Sequence, residues 1–378
     1  MSHIKKGKKR TKVGITPLNW QKLEISNLFD ISLKKFNPKT SVENKKCIEL
    51  EHISQNTGLL LGFFDSKEQK STKNIFMRGE VLYGKLRPYL RKYWKAEFDG
   101  VCSTELWVLK GKKLTNEYLF QFVQTDMFNQ IANITIGTKM PRADWKYMSE
   151  IPFNIPPLKE QKKIAKILTA WSNAISKQEE LIKVRQENKK GLMQKLLSGE
   201  IRFDGFNAKW KKVKLGEILK ISSGKDYKHL ETGEIPVFGT GGYMLSVNKY
   251  LYDGESACIG RKGTIDKPML LNGKFWTIDT LFYTHSYKNT IPKFVYAVFT
   301  KINWKYYNES TGIPSLLKNT IKNIKIKLPP LKEQQQIAEV LILAEQTIEL
   351  LKSELIELKE QKKALMQKLL TGEIRVKV

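Results

Sequence analysis

The segment GKLRPYLRKYW sets four cations, Lys85, Arg87, Arg91 and Lys92, among Tyr83, Tyr89, Tyr93 and Trp94. A second segment, GRKGT, puts Arg261 and Lys262 between two glycines. Arginine offers the planar fork that pairs with guanine through two parallel hydrogen bonds, and lysine offers a point charge for phosphate. Glycine on either side lets a backbone approach a phosphate closely. The chemistry such residues perform is contact with nucleic acid. The DNA-binding candidates also include Lys139, Arg142, Lys225, Tyr227, Thr240, Thr264 and Lys318, basic or hydroxyl residues in neighbouring loops. The tyrosines of the first segment read as packing. The competing reading of each basic run is a solvated strand edge, where lysine discourages aggregation.

Covalent or redox chemistry finds little support. FGTGG at 238–242 has the glycines of a loop that cradles S-adenosylmethionine. Such a loop should leave a strand and open a helix, and YMLSVNKYL follows instead. NIPPL at 154–158 is one intruding Ile away from an adenine-methyltransferase motif, and it has Leu where that motif has an aromatic. No GxxxxGK[ST] loop is present, which argues against an ATP-driven motor. Cys47, Cys102 and Cys258 have no CxxC spacing, and His3, His52, His229 and His285 are scattered. The sequence therefore predicts no catalytic residue, no metal and no cofactor in this chain, with the cysteines reduced in a cytoplasmic setting.

The chain's balance agrees with a polyanionic partner. Its 378 residues hold 66 Lys and Arg against 38 Asp and Glu, a net charge of +28. That favours nucleic acid or an acidic membrane surface. No apolar run approaches the ~20 residues of a membrane span. The opening MSHIKKGKKRTKVG lacks the apolar core of a secretory signal. Residues 1–14 read as a basic disordered arm.

The elements that must position the basic loops are marked by a repeat. PPLKEQ begins at Pro156 and Pro329, and MQKLL begins at Met193 and Met366. Both pairs share one offset, since 329 − 156 equals 366 − 193. LMQKLLSGEIR at 192–202 returns as LMQKLLTGEIR at 365–375. Each repeat reads as one long helix, with Pro157 and Pro330 at the first turn, where proline is tolerated. Glu160 and Glu333 complement the helix dipole, and Gly199 and Gly372 act as stops. In the second repeat, Ile337, Leu341, Ala344, Ile348, Leu351, Leu355, Leu358, Leu365 and Leu369 alternate at four- and three-residue steps, broken only by Lys362. In the first, Ile164, Leu168, Trp171, Ile175, Ile182, Leu192 and Leu196 fit, with Gln178, Arg185 and Lys189 interrupting. Stripes this narrow are coiled-coil seams, and the strict internal offset favours antiparallel pairing within one chain over parallel pairing between two.

The segments before each helix open alike, with WQKLEISNLF at Trp20 and WKKVKLGEIL at Trp210. They close alike, with GTKMPRADWKYMSEIPFNIPP and STGIPSLLKNTIKNIKIKLPP. Between those flanks they diverge. Short β-rich runs broken by Gly and Pro predict a mixed α/β domain in each half. The expected layout is recognition domains at 15–155 and 200–328, a first spacer helix at 156–199, and a second with its return segment at 329–378.

Two variable segments, each followed by PPLKEQ…LMQKLL[ST]GEIR, resemble the specificity subunit of type I restriction–modification systems. The likeness covers nearly the whole chain beyond the first dozen residues. It implies an α/β fold of two target recognition domains held apart by a long antiparallel two-helix coiled coil, with a pseudo-twofold internal repeat. It also implies that each domain reads one half of a split site in double-stranded DNA. The implied partners are two modification subunits, which methylate adenine with S-adenosylmethionine, and restriction subunits, which use ATP and Mg to translocate and cleave. Forty helical residues would span ~60 Å, under two turns of B-DNA at ~34 Å each. Four extra residues in both helices should then widen the gap by ~6 Å, about two base pairs. A coiled-coil scaffold that binds nucleic acid without sequence preference is the alternative. A self-sufficient methyltransferase is a third, and would bind S-adenosylmethionine by itself.

Overall fold

Two antiparallel strand pairs of equivalent register frame the fold. Gln21–Glu24 pairs with Pro152–Ile155, Gln21 facing Ile155, and Lys211–Lys214 pairs with Lys325–Leu328, Lys211 facing Leu328. Each frame brings together the start and finish of one variable segment, just ahead of a long helix. The computed structural model describes residues 8–11, 14–136 and 139–377. It divides into two compact units: unit 1 takes the chain up to Lys177 and resumes at Leu355, and unit 2 runs Gln178–Glu354. The division falls within both long helices, so each unit owns the first part of one helix and the last part of the other.

Unit 1 holds a four-stranded sheet in the order Tyr93–Lys95, Val81–Gly84, Leu106–Gly111, Phe29–Ile31. A five-stranded sheet follows in the order Lys35–Phe36, Lys73–Phe76, Gly100–Cys102, Lys46–Ile48, Phe64–Asp65. Unit 2 has two four-stranded sheets, ordered Lys220–Ser223, Leu281–His285, Ser256–Gly260, Met269–Leu271, and Gly242–Val247, Thr232–Gly239, Lys274–Thr277, Tyr252–Asp253. Most pairings are antiparallel, with a parallel pair in each unit at Val101–Cys47 and Val237–Trp276. The mixed α/β architecture is the one the alternating short runs predict. Within the expected basic arm, Lys8–Thr11 is a strand paired with Gly14–Pro17. Residues 1–7, 12 and 13 lie outside the described residues.

The long helices run Leu158–Ser198 and Leu331–Leu370. In unit 1 Ile164, Ala165 and Leu168 share one core with Leu365, Met366, Leu369 and Leu370. In unit 2 Leu192, Met193, Leu196 and Leu197 share another with Ile337, Ala338 and Leu341. Unit 2 fixes the sense of pairing. Gln178 donates to the Leu351 carbonyl at 3.2 Å and Lys189 meets Glu345 at 3.1 Å, so one helix rises as the other falls. Every seam position predicted from the sequence is buried or half-buried. Of the interrupting residues, Gln178 and Lys189 thus pair across the seam, whereas Arg185 is exposed.

A buried carboxylate locks the base of each helix. Glu160 and Glu333 have no solvent exposure. Glu160 accepts from the Trp20 indole at 3.2 Å and from Arg375 at 2.6 and 2.8 Å. Glu333 accepts from Trp210 at 3.0 Å and from Arg202 at 2.8 Å twice. The adjacent glutamines close the frames. Gln161 donates to the Pro156 and Lys113 carbonyls, and Gln334 to those of Pro329 and Asn289. PPLKEQ is therefore the site where helix, frame and returning segment are tied together. Gly199 ends the first helix at φ 74° and Gly372 ends the second at φ 75°. That left-handed geometry is one glycine adopts without strain.

Candidate nucleic-acid interface

Three loops meet at the end of the central strands in each unit, joined by the same backbone bonds. In unit 1, Leu106 faces Gly84 across the sheet, and in unit 2 Leu281 faces Gly260. Just beyond, Lys85 N–H donates to the Glu105 carbonyl at 3.0 Å, as Arg261 N–H does to Thr280 at 2.7 Å. Arg87 N–H reaches the Pro141 carbonyl at 2.7 Å, as Gly263 N–H reaches Pro314 at 2.8 Å. Ala143 N–H returns to Lys85 at 2.9 Å, as Leu316 N–H returns to Arg261 at 2.8 Å. Bridges between Leu86 and Arg142, and between Lys262 and Ser315, complete the match. One backbone frame thus presents different side chains in the two units.

In unit 1 this rim carries Lys85, Arg87 and Arg142, and Lys139 is exposed on the same 139–143 loop. Arg87 is exposed and held at φ 51°, where its counterpart Gly263 has φ 93°. An arginine therefore bears a conformation suited to glycine, as Arg91 does at φ 50°. Arg142 is forked onto Glu105, Nε and Nη2 each donating at 3.0 Å. Two further expected contact residues, Arg91 and Lys92, are half-buried and also bond within the unit. Arg91 binds Asp126 at 2.8 Å and the Gln124 carbonyl at 2.8 Å. Lys92 donates to the Leu50 carbonyl at 2.5 Å, and burial lowers its ammonium pKa from 10.5. Both tie the 85–91 loop to the body of the unit, a role their spacing does not distinguish from DNA contact. Tyr83, Tyr93 and Trp94 are core residues, and Tyr89 is exposed.

In unit 2 the structure gathers Arg261, Lys262, Thr264, Thr240, Lys225 and Lys318. A side chain on Gly260 would lie 2.0 Å from the Thr264 carbonyl oxygen and 3.1 Å from Thr240 Cγ2, so glycine is required where this loop folds back. Lys225 joins through its N–H to Thr277 at 2.8 Å, and Ile278 N–H reaches the Phe238 carbonyl at 3.0 Å. Lys318 Nζ sits 5.6 Å from the Phe282 ring centroid. Burial, then Lys322 and Arg261, lower its ammonium pKa from 10.5. Tyr227, half-buried, packs against Val237, Val247 and Trp276. Glu105, Thr280 and Ser315 were not singled out from the sequence. Their signal was the likeness of CSTELWVL to TIDTLFY and the spacing of Pro141 from Pro314.

Among the described residues no three His, Cys, Asp or Glu side chains gather as a metal site. Cys47, Cys102 and Cys258 are buried and free, and burial pushes Cys47 and Cys258 up to about 12. No helix of the described residues is long and apolar enough to cross a membrane.

Comparison with known proteins gives a consistent likeness. The sequence profile of the type I restriction modification DNA specificity domain matches residues 17–186 and 207–360. The type I restriction enzyme MjaVIII specificity subunit of Methanocaldococcus jannaschii is 29% identical over 329 residues, 74% of this chain and 75% of that protein. The EcoDI specificity subunit of Escherichia coli is 32% identical over 201 residues, 52% of this chain and 44% of that one. Among solved structures, the S subunit of a type I restriction–modification system from M. genitalium has a TM-score of 0.64 at 18% identity, covering 93% of this chain and 96% of that one.

Proposed function

The chain belongs to the type I restriction–modification DNA specificity family, and on that footing we propose that it addresses a bipartite DNA site. Each unit reads one half of the site in the duplex, and the paired long helices set the gap. Two modification subunits, using S-adenosylmethionine, methylate adenine where this chain directs them, and restriction subunits using ATP and Mg cleave. This chain supplies the address in the cytoplasm and no catalytic group.

The observation that carries the reading is the matched rim. Two loop frames closed by the same bonds carry Lys85, Arg87 and Arg142 in one unit and Arg261, Lys262 and Ser315 in the other. Phosphate contacts position a protein on DNA and side chains at base edges give it sequence. Equal frames with unequal side chains suit two different half-sites. The net charge of +28 supplies the attraction that both need. The first long helix has 41 residues and the second 40 residues. At roughly 1.5 Å per residue each is ~60 Å long, a length suited to half-sites less than two turns apart.

Exchange of residues 210–328 for the corresponding segment of another family member tests the reading. Methylated sites are sequenced from hosts carrying either chain with the modification subunits. One half-site should change while its companion and the gap persist. Changes in both halves would contradict independent reading. A scaffold without preference would leave no common sequence among the methylated sites.

A further inference from the structure

The two rims differ most sharply at one pair of equivalent positions. Unit 1 has Glu105 and Arg142 where unit 2 has Thr280 and Ser315, as the shared backbone bonds establish. Arg142 uses Nε and Nη2 on the two carboxylate oxygens of Glu105, at 3.0 Å each. The guanidinium is therefore held by two bonds to one carboxylate. Nη1 makes no hydrogen bond to the described residues, and Nη2 has a second hydrogen to offer. These two nitrogens form the outer edge of a side chain that is 45% exposed at the open end of the rim. A bidentate pair ties the two loops together, but that role does not call for the outer edge of the fork to face the open rim. Recognition does, because two parallel donors at fixed spacing match guanine O6 and N7 and no other base edge in the major groove. Fixing the fork beforehand also removes the ordering cost that a free side chain meets on binding.

We propose that Arg142, positioned by Glu105, selects a guanine in the half-site read by unit 1; this rests on the function proposed above. Glu105 is the positioning residue, and the DNA contact belongs to Arg142. Unit 2 offers two hydroxyls at the same positions. It therefore makes no equivalent guanine contact there and draws its cations from Arg261 and Lys262.

The test is selection of bound duplexes from a randomised pool by the full chain with its modification subunits, followed by sequencing. The wild type should require guanine at one position of one half-site. Arg142→Ala should reduce that preference roughly 5- to 100-fold, leaving the remaining positions and the whole second half-site as before. Glu105→Gln, which breaks the symmetric fork without removing bulk, should weaken the preference at that same position. Arg142→Lys should not restore it, because an ammonium lacks the second parallel donor. A uniform fall in affinity with unchanged base preference would mean that Arg142 only clamps two loops, and would overturn the assignment. So would loss of preference at several positions in both half-sites. A wild-type complex that selects no sequence at all would instead overturn the reading of the chain as an addressing subunit.

Discussion

Arg202 lies 131 residues before Glu333 and donates from Nε and Nη2 to its carboxylate oxygens, 2.8 Å each. The equivalent bond from Arg375 to Glu160 has the opposite chain order, the acid preceding the base by 215 residues. A carboxylate without solvent exposure depends on such a partner, since removal of one leaves a buried charge uncompensated. Arg202→Met should therefore lower the melting temperature by about 5 °C or more. Arg202→Met with Glu333→Gln should recover much of that loss, because the neutral amide still accepts from the Trp210 indole. A double variant no more stable than the single one would show that the charge is not the cause.

The glycines ending the two helices should respond unequally to alanine. Both have positive φ, which costs a Cβ-bearing residue about 1 kcal/mol. At Gly199 an added Cβ meets the Trp210 ring at 3.6 Å, an ordinary contact. At Gly372 it meets Pro17 at 2.5 and 2.7 Å, so unit 1 must also shift. Gly199→Ala should cost about 1 kcal/mol and Gly372→Ala roughly 2–4 kcal/mol, read from denaturant midpoints. Equal costs would mean that the contact with Pro17 yields freely.

Arg87→Gly should separate stability from binding. The substitution relieves a left-handed arginine and should raise stability by up to about 1 kcal/mol. It also removes an exposed cation from the rim. Affinity for cognate duplex should fall and the slope of log affinity against log salt should lessen by about 1. Unchanged affinity would remove Arg87 from the contact set.

Lys362 sits in the seam, and burial lowers its ammonium pKa from 10.5. In the unfolded chain the ordinary value returns, so between the two values the unfolded state binds more protons and stability rises with pH. That contribution is complete above 10.5 and is lost as pH falls through the folded value. Lys362→Met should stabilise by about 1 kcal/mol at pH 7, and its advantage should shrink as pH approaches the ordinary lysine range. Urea midpoints at pH 7 and pH 10 measure this. A constant difference would exclude desolvation of the ammonium as its origin.

Seven residues inserted into both helices at facing positions keep the four-three step of the seam. They add ~10 Å of helix, or about three base pairs at ~3.4 Å each. Methylated sites should keep both half-sites and acquire a longer gap. New half-sites with the old gap would refute the spacer proposal.

What the sequence made legible was whatever repeats or alternates. The offset between Pro156 and Pro329, the helix lengths and the seam positions are periodic quantities, and every predicted seam residue is covered in the structure. The like flanks at Trp20 and Trp210 foretold the matching frames. Side chains whose partners lie far along the chain were less accessible. Glu160 and Glu333 look like dipole-complementing residues of a first turn, and nothing local signals Arg375 or Arg202. Arg91 and Lys92 have the spacing of contact residues, and nothing local signals their bonds to Asp126, Gln124 and the Leu50 carbonyl. Glu105 stands in a β-rich run with no sign that Arg142 would fold onto it.

The reach of the Arg375 bond also sets an order of assembly. Glu160 leaves the ribosome long before its guanidinium exists, and all of Gln178–Glu354 is synthesised in the interval. At roughly 5–20 residues per second that wait is on the order of 10–40 seconds. The half of the protein made first is therefore the half sealed last.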